Sequence, residues 1–406
     1  MTGTDIGVAE LESVAASLID DQFWATDRTD ELALLRHGSP VHWCETHGYW
    51  ALTRHADVLA VSKDNETFVS RFGVLYGLLT DTPPEVPGSL LSADPPMHTH
   101  YRKILQPAFA PSRMRALEAR LRVLAGELLD SLPVGEPVDW VAAVAVPFPL
   151  IVLAELMGLP PESWREFHVW VDSAVASGGR RDADKSPEAQ RHLAEMYAYL
   201  RDAYAEKRAT PDDGVVSMLV AHREPDGRAL SDAELMLFLA QLFIAGNETT
   251  RNSLTGGLVT FSENPDQWAR VVANPAAVAP ATEEVLRWST AVINFFRVPV
   301  VDTAIAGVPI VAGQPVCMNY TSANRDELEF GPTANSFDVL RDPNHHLAFG
   351  FGAHFCLGAA LARLEIRVLL DELRTRFTTI EPAGEVVRTA SHLIAGFSSA
   401  PLVFGR

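Results

Sequence analysis

Phe349-Gly350-Phe351-Gly352-Ala353-His354-Phe355-Cys356-Leu357-Gly358 sets three glycines around one cysteine within ten residues. Glycine lets a backbone turn tightly and approach a flat ligand where a Cβ would collide. An apolar helical pattern, Leu357 to Phe377, follows at once, so Cys356 falls at the start of a helix. There the positive end of the helix dipole and the N–H groups of the turn stabilise a thiolate. A lone cysteine otherwise serves as a small buried hydrophobe, the reading that fits Cys44 and Cys317. The flanking glycines set Cys356 apart from both.

No second cysteine or paired histidine stands in chelating distance of Cys356 along the chain. A single thiolate therefore suits a cofactor that brings its other metal ligands with it. Haem does so: the porphyrin fills four positions and the protein adds an axial sulfur.

Two further motifs lie upstream. Glu284-Val285-Leu286-Arg287 places an acid and a base at i, i+3, on one helical face. Ala245-Gly246-Asn247-Glu248-Thr249-Thr250 interrupts an otherwise apolar helix. Ser231 and Glu234 form a capping box that starts this helix and Asn264-Pro265 ends it, a rod of roughly 50 Å. Read alone, its polar insertion is equally a patch facing a water-filled crevice. A mid-helix hydroxyl bonding one turn back would bend the axis.

Together these three segments, in this order, resemble the cytochrome P450 family. The cysteine segment matches every fixed position of its haem-ligand loop, Phe-Gly-x-Gly-x-(His/Arg)-x-Cys-x-Gly. The resemblance implies a mainly α fold with small β-sheets (α+β), with haem b between the long central helix and the cysteine-loop helix. It implies one catalytic domain over residues 1–406, with Cys356 as metal ligand. His98 and Arg102, Arg297 and His354 match the family's contacts to the haem propionates. Glu284, Arg287 and Arg341 match a structural ion-pair cluster. Glu248 and Thr249 resemble the catalytic acid–alcohol pair, the alcohol holding a water and the acid relaying protons. Phe243, Ile244, Ala245, Val292, Ile293, Asn294, Phe295 and Ile394 fall at pocket-lining positions, with Asn294 as a polar anchor. The family often carries proline shortly after Arg287-Trp288, and here Ser289-Thr290-Ala291-Val292 has none.

The expected activity is monooxygenation of an apolar substrate, in the lipid, terpenoid or steroid class, with O2. Three scattered cysteines cannot hold an iron–sulfur cluster beside the axial ligand, so electrons must come from elsewhere. The resemblance implies a ferredoxin with an NAD(P)H-dependent ferredoxin reductase. Arg102, Arg113 and Arg363 are candidates for a basic docking face. A haem-thiolate isomerase or dehydratase and a non-catalytic haem sensor are the competing classes, and neither needs the Glu248–Thr249 pair.

The rest of the chain agrees. Of 406 residues, 47% are hydrophobic and 21% charged, which excludes a disordered or collagenous protein. A net charge of −19 argues against a nucleic-acid binder. Pro147, Pro149 and Glu155 break the most apolar run, Trp140 to Leu159, so no membrane span is expected. Few cysteines and no signal-like N-terminus point to the cytoplasm. Helices are expected from Asp94 toward Phe109, and over 112–132, 190–207, 231–263, 280–288 and 357–377. Short strands are expected at 49–53, 295–300, 308–311, 315–318 and 402–404. Segments 73–91 and 177–187 read as long irregular connections.

Overall fold

The computed structural model describes residues 7–84, 89–178 and 185–406. Parts of the two connections expected to be irregular, 85–88 and 179–184, lie outside the described residues. Helices dominate. In chain order they are α1 (Val8–Ser17), α2 (Thr29–Gly38), α3 (His55–Lys63), α4 (Met97–Leu105) and α5 (Pro111–Asp130). There follow α6 (Pro147–Met157), α7 (Trp164–Ala176), α8 (Pro187–Ala209), α9 (Val215–Ala221) and α10 (Asp232–Glu263). The last are α11 (Pro265–Ala273), α12 (Val278–Ser289), α13 (Tyr320–Ala323), α14 (Glu327–Phe330) and α15 (Ala359–Arg376).

Strands β1 (Val41–Cys44), β2 (Tyr49–Leu52), β3 (Phe68–Val69), β5 (Asn294–Pro299) and β8 (Val316–Asn319) form one mixed sheet, ordered β1-β2-β8-β5-β3. Strands β4 (Pro137–Asp139), β9 (Thr379–Pro382) and β12 (Pro401–Gly405) form a second, with β12 central. Two ribbons complete the set: β6 (Thr303–Ile305) with β7 (Val308–Ile310), and β10 (Val387–Thr389) with β11 (Gly396–Ser399). Among the described residues no helix is long and apolar enough to cross a membrane.

The central helix α10 starts where its capping box predicts. Ser231 Oγ accepts the Glu234 N–H at 3.2 Å, and Glu234 Oε2 accepts the Ser231 N–H at 2.7 Å. Its C-terminal half is buried all round, and α12 crosses it closely. Gly257 allows that approach, because a Cβ there would lie 2.8 Å from Val285 Cγ1. The helix expected from Asp94 begins later, at Met97. The Asp94 carboxylate is spent on the Ser70 and Arg71 N–H groups, at 2.7 and 3.2 Å, instead of capping.

Close packing puts α12 in position to present Glu284 and Arg287, both fully buried. The Arg287 guanidinium grips Glu284 with two bonds of 2.7 and 2.8 Å. It also donates to the Asn324, Ala334 and Ser336 carbonyls. Arg341 Nε reaches Glu284 Oε2 at 3.2 Å, and the Asp338 N–H and Asn344 Nδ2 complete the carboxylate. One charged centre thus pins the segment that runs into the cysteine loop. Without a proline, the chain leaves α12 through Thr290 in the left-handed region (φ 38°). Its hydroxyl donates to the Arg287 carbonyl at 2.6 Å and accepts from Asn324 Nδ2 at 2.9 Å.

Two stability predictions follow from buried carboxyls. Glu284→Ala leaves two buried guanidinium groups without their anion and should cost about 3–5 kcal/mol, read by urea unfolding. Glu365 on α15 is also fully buried; burial pushes its pKa well above the usual carboxyl range, against one bond from Thr250. The native state therefore keeps a proton that the unfolded chain releases, and stability falls as pH rises above the unfolded-state value. Glu365→Gln removes that penalty, so its stability should gain on the parent's between pH 5 and pH 8. A constant difference across that range would show the carboxyl does not titrate on unfolding.

Candidate active site

The cysteine loop is folded by its own backbone. The Cys356 N–H donates to the Phe349 carbonyl at 2.9 Å, and the Phe355 N–H to that of Gly352 at 3.1 Å. Gly350 and Gly352 both adopt positive φ, at 64° and 71°. A Cβ on Gly352 would lie 2.2 Å from the Ser62 carbonyl oxygen, so this glycine lets the loop pack on α3. Cys356 precedes the helix rather than starting it, since α15 begins at Ala359. The N–H groups of Gly358 and Ala359 still reach its sulfur.

Cys356 is solvent-accessible, yet burial pushes its thiol pKa up, against those N–H groups and the charges of Arg102 and Arg363. On α10, Ala245 is exposed in mid-helix, between buried Phe243 and Asn247. One turn on, Thr249 Oγ1 donates to the Ala245 carbonyl at 3.2 Å, which places its hydroxyl on the same face.

Beside the cysteine loop stand buried basic groups without anions among the described residues. Arg297 on β5 is buried, donates to the Phe296 carbonyl at 2.7 Å and forms no ion pair among the described residues. His98 on α4 is 2% exposed and its Nε2 has no hydrogen-bond partner among the described residues. His354 lies against it, ring centroids 4.2 Å apart, with Ser70 Oγ 3.2 Å from its Nε2. Burial, then Arg297, His98 and Arg102, push the His354 pKa down to about 2. Such a cluster is costly unless carboxylates complete it. Together with the Cys356 sulfur two residues beyond His354, these unpaired buried donors fit a haem with its two propionates. Arg102 Nη1 meanwhile donates to the Phe355 carbonyl at 2.6 Å, bracing the cysteine loop.

Glu248 and Thr249 are neighbours in sequence but point apart, as consecutive helical residues do. Glu248 is 6% exposed; its Oε1 accepts from Asn252 Nδ2 at 2.8 Å and its Oε2 lies 3.1 Å from Arg251 Nη1. Burial raises its pKa and Arg251 opposes the rise.

Several expected pocket residues fall elsewhere. Phe243 is fully buried against Phe167 and Trp170, with centroids at 4.9 and 6.4 Å. Ile293 is fully buried in the cluster under the N-terminal helices. Asn294 is no polar anchor, because its amide donates to the Leu18 and His392 carbonyls and its oxygen accepts from Asn319. All three expose almost nothing, whereas Ala245, Ile244, Val292 and Phe295 keep accessible surface, and Ile394 bridges to Val292. Strand alternation explains the split, as Phe295 and Arg297 share one face and Asn294 and Phe296 the other. The basic docking face is also weaker than expected. Arg363 is paired with Glu283 at 2.8 Å, Arg113 donates to the Asp213 carbonyl, and Arg102 is turned inward. Sequence reasoning missed Ser70 and Asp172, which reach the site only through tertiary contact; Arg251 and Asn252, at i+3 and i+4 from Glu248 on one helix, had a spacing signal.

Comparison with known proteins agrees with this geometry. The cytochrome P450 family profile matches residues 180–402. Linalool 8-monooxygenase of Pseudomonas putida is 35% identical over 92% of this chain and 95% of its own length. Steroid C26-monooxygenase of Mycolicibacterium smegmatis is 34% identical over 90% of this chain and 88% of its own. The methyl-branched lipid omega-hydroxylase of Mycobacterium tuberculosis is 35% identical over 94% and 93%. Among solved structures, a Mycobacterium marinum cytochrome P450 in complex with pseudoionone superposes with a TM-score of 0.85 at 33% identity, over 95% of this chain and 97% of that one. The chain belongs to the cytochrome P450 family and is a haem-thiolate monooxygenase.

Proposed function

We propose that this chain hydroxylates a branched apolar molecule of the terpenoid, steroid or lipid class, with Cys356 as the axial thiolate of haem b. The observation that carries the reading is the set of buried basic groups beside the cysteine loop: among the described residues Arg297 forms no ion pair and His98 Nε2 has no hydrogen-bond partner, and both act on His354, two residues before Cys356. When bound there, the haem supplies the oxygen-activating centre, and an axial thiolate favours O–O cleavage.

The chain's own residues do the rest. Gly358 and Ala359 N–H groups stabilise the sulfur as thiolate, and Arg297, His98, Arg102 and His354 hold the propionates. The Thr249 hydroxyl, one turn on from Ala245, keeps a water in place on that face of α10. Glu248, its pKa raised by burial, carries a proton closer to neutral pH than a surface acid would, which suits a general acid. Ile244, Ala245, Val292, Phe295 and Ile394 give an apolar wall and leave little to bind a polar substrate. The relatives act on linalool, a steroid and a methyl-branched lipid, and the structural neighbour holds pseudoionone, all consistent with that wall. Electrons come from a ferredoxin and its NAD(P)H-dependent ferredoxin reductase, in the cytoplasm.

Two experiments test this. A screen of terpene alcohols, sterols and methyl-branched fatty acids should give a low- to high-spin shift of the haem with at least one class, and NADPH-dependent hydroxylation of that compound with a ferredoxin and reductase. Polar or aromatic acids as the sole binders would contradict the substrate class. Thr249→Ala should lower product formed per O2 consumed by about an order of magnitude, the lost oxygen appearing as peroxide. Unchanged coupling would remove Thr249 from the relay.

A further inference from the structure

The turn between β10 and β11 carries Ile394 to the apolar wall, and a two-stranded ribbon is marginal by itself. Within the turn, Ser391 Oγ accepts the Leu393 and Ile394 N–H groups at 3.2 Å each. Toward β5, the Ile293 N–H donates to the Leu393 carbonyl and the Ala395 N–H to that of Ala291, both at 2.9 Å. Val292 and Ile394 between them are therefore a non-hydrogen-bonded pair, side by side on one face. On its other side the turn is tied to the segment that follows α1. Asp21 Oδ1 accepts the His392 N–H at 2.9 Å and lies 2.6 Å from His392 Nδ1. A carboxylate only accepts, so Nδ1 carries the hydrogen, a bond open to the neutral ring. Asn294 Nδ2 joins the His392 carbonyl, at 3.1 Å, to that of Leu18, at 3.0 Å. His392 is thus held at its N–H, its ring and its carbonyl, two residues before Ile394. Leu393 meets the end of α7, where a Cβ on Gly178 would lie 3.2 Å from Leu393 Cδ2, and a glycine offers no side chain to grip.

We infer that Asp21 is a positioning residue for substrate specificity: by clamping His392 it sets where Ile394 stands beside Val292, and so which carbon of the substrate is offered for hydroxylation. An apolar molecule brings few polar groups by which a site could fix its register, so the shape of the wall decides its orientation. That shape is only as definite as the turn that carries Ile394. The two ties differ in what they serve. Asn294 is 2% exposed and belongs to the sheet, its Oδ1 accepting from Asn319 Nδ2 at 2.8 Å. Asp21 stands outside the core: its side chain is 38% exposed and that of His392 20%. Its carboxylate can therefore be removed without opening the interior, and what it fixes is the turn. The contact joins residues 371 positions apart, so the N-terminal segment reaches the substrate wall through the fold alone. This rests on Ile394 lining the substrate wall, as proposed above.

The test titrates the haem-loaded protein with linalool, cholesterol and a methyl-branched fatty acid, and follows the compound that gives the largest spin-state shift. Asp21→Ala should weaken its binding about tenfold, the worth of a hydrogen bond to a charged group, and change the ratio of its hydroxylated products. The reduced carbon monoxide spectrum should be unchanged and kcat nearly so. Asp21→Asn keeps an acceptor oxygen for His392 and should keep the parent's product ratio. His392→Ala should reproduce Asp21→Ala, and the double variant should go no further than either. A product ratio in Asp21→Ala equal to the parent's overturns the inference; a lowered melting temperature beside it would mark Asp21 as a structural tie alone. The reading beneath it fails separately. Ile394→Ala should itself change the product ratio, and an unchanged ratio there would take Ile394 off the wall, whereas a change in Ile394→Ala without one in Asp21→Ala would contradict the clamp only.

Discussion

Glu284 is the anion about which the site is assembled. A fully buried carboxylate is tolerable only when donors surround it, and here they come from α12, from Arg341 and from the backbone at Asp338. Because those donors belong to segments distant in sequence, satisfying one charge fixes how α12, the end of α13 and the stretch leading to Cys356 sit together. Gly257 makes this possible by letting α12 rest on the central helix at a distance no side chain would allow. The thiolate loop inherits its position from that contact.

The reactive space is built on the opposite principle. Around Glu284 the carboxylate is surrounded by donors; among the described residues Arg297 forms no ion pair and His98 Nε2 has no hydrogen-bond partner. Such unmatched buried donors are sustained by the stability of the surrounding helices and sheet, and they suit the acid groups of the haem. Between these two environments lies the Arg251 guanidinium, shared by Glu248 and Asp172, neither fully matched nor bare.

Much of this was legible in the chain before folding was considered. The capping box at Ser231 and Glu234, the i, i+3 spacing of Glu284 and Arg287 and the glycines around Cys356 are local rules, and each is found where its spacing puts it. Helix α6 and strands such as β3 and β4 were not assigned, since short segments carry little periodicity. Pocket lining was only half readable. Asn294 reads as a free amide in sequence, and only the fold reveals that Leu18, His392 and Asn319 consume it. Likewise Asp94 reads as a helix cap, until Ser70 and Arg71 are seen to claim its oxygens. Polar side chains near pockets are spent by partners far away in sequence, and spacing holds no record of that.

The central claim is that Cys356, alone of the three cysteines, gives its sulfur to haem iron. The reduced carbon monoxide difference spectrum tests it most directly, compared among the parent, Cys356→Ser, Cys44→Ser and Cys317→Ser. The account predicts a thiolate-type Soret band in the parent and in both packing-cysteine variants, and its loss in Cys356→Ser. A thiolate-type band that survives in Cys356→Ser would contradict it.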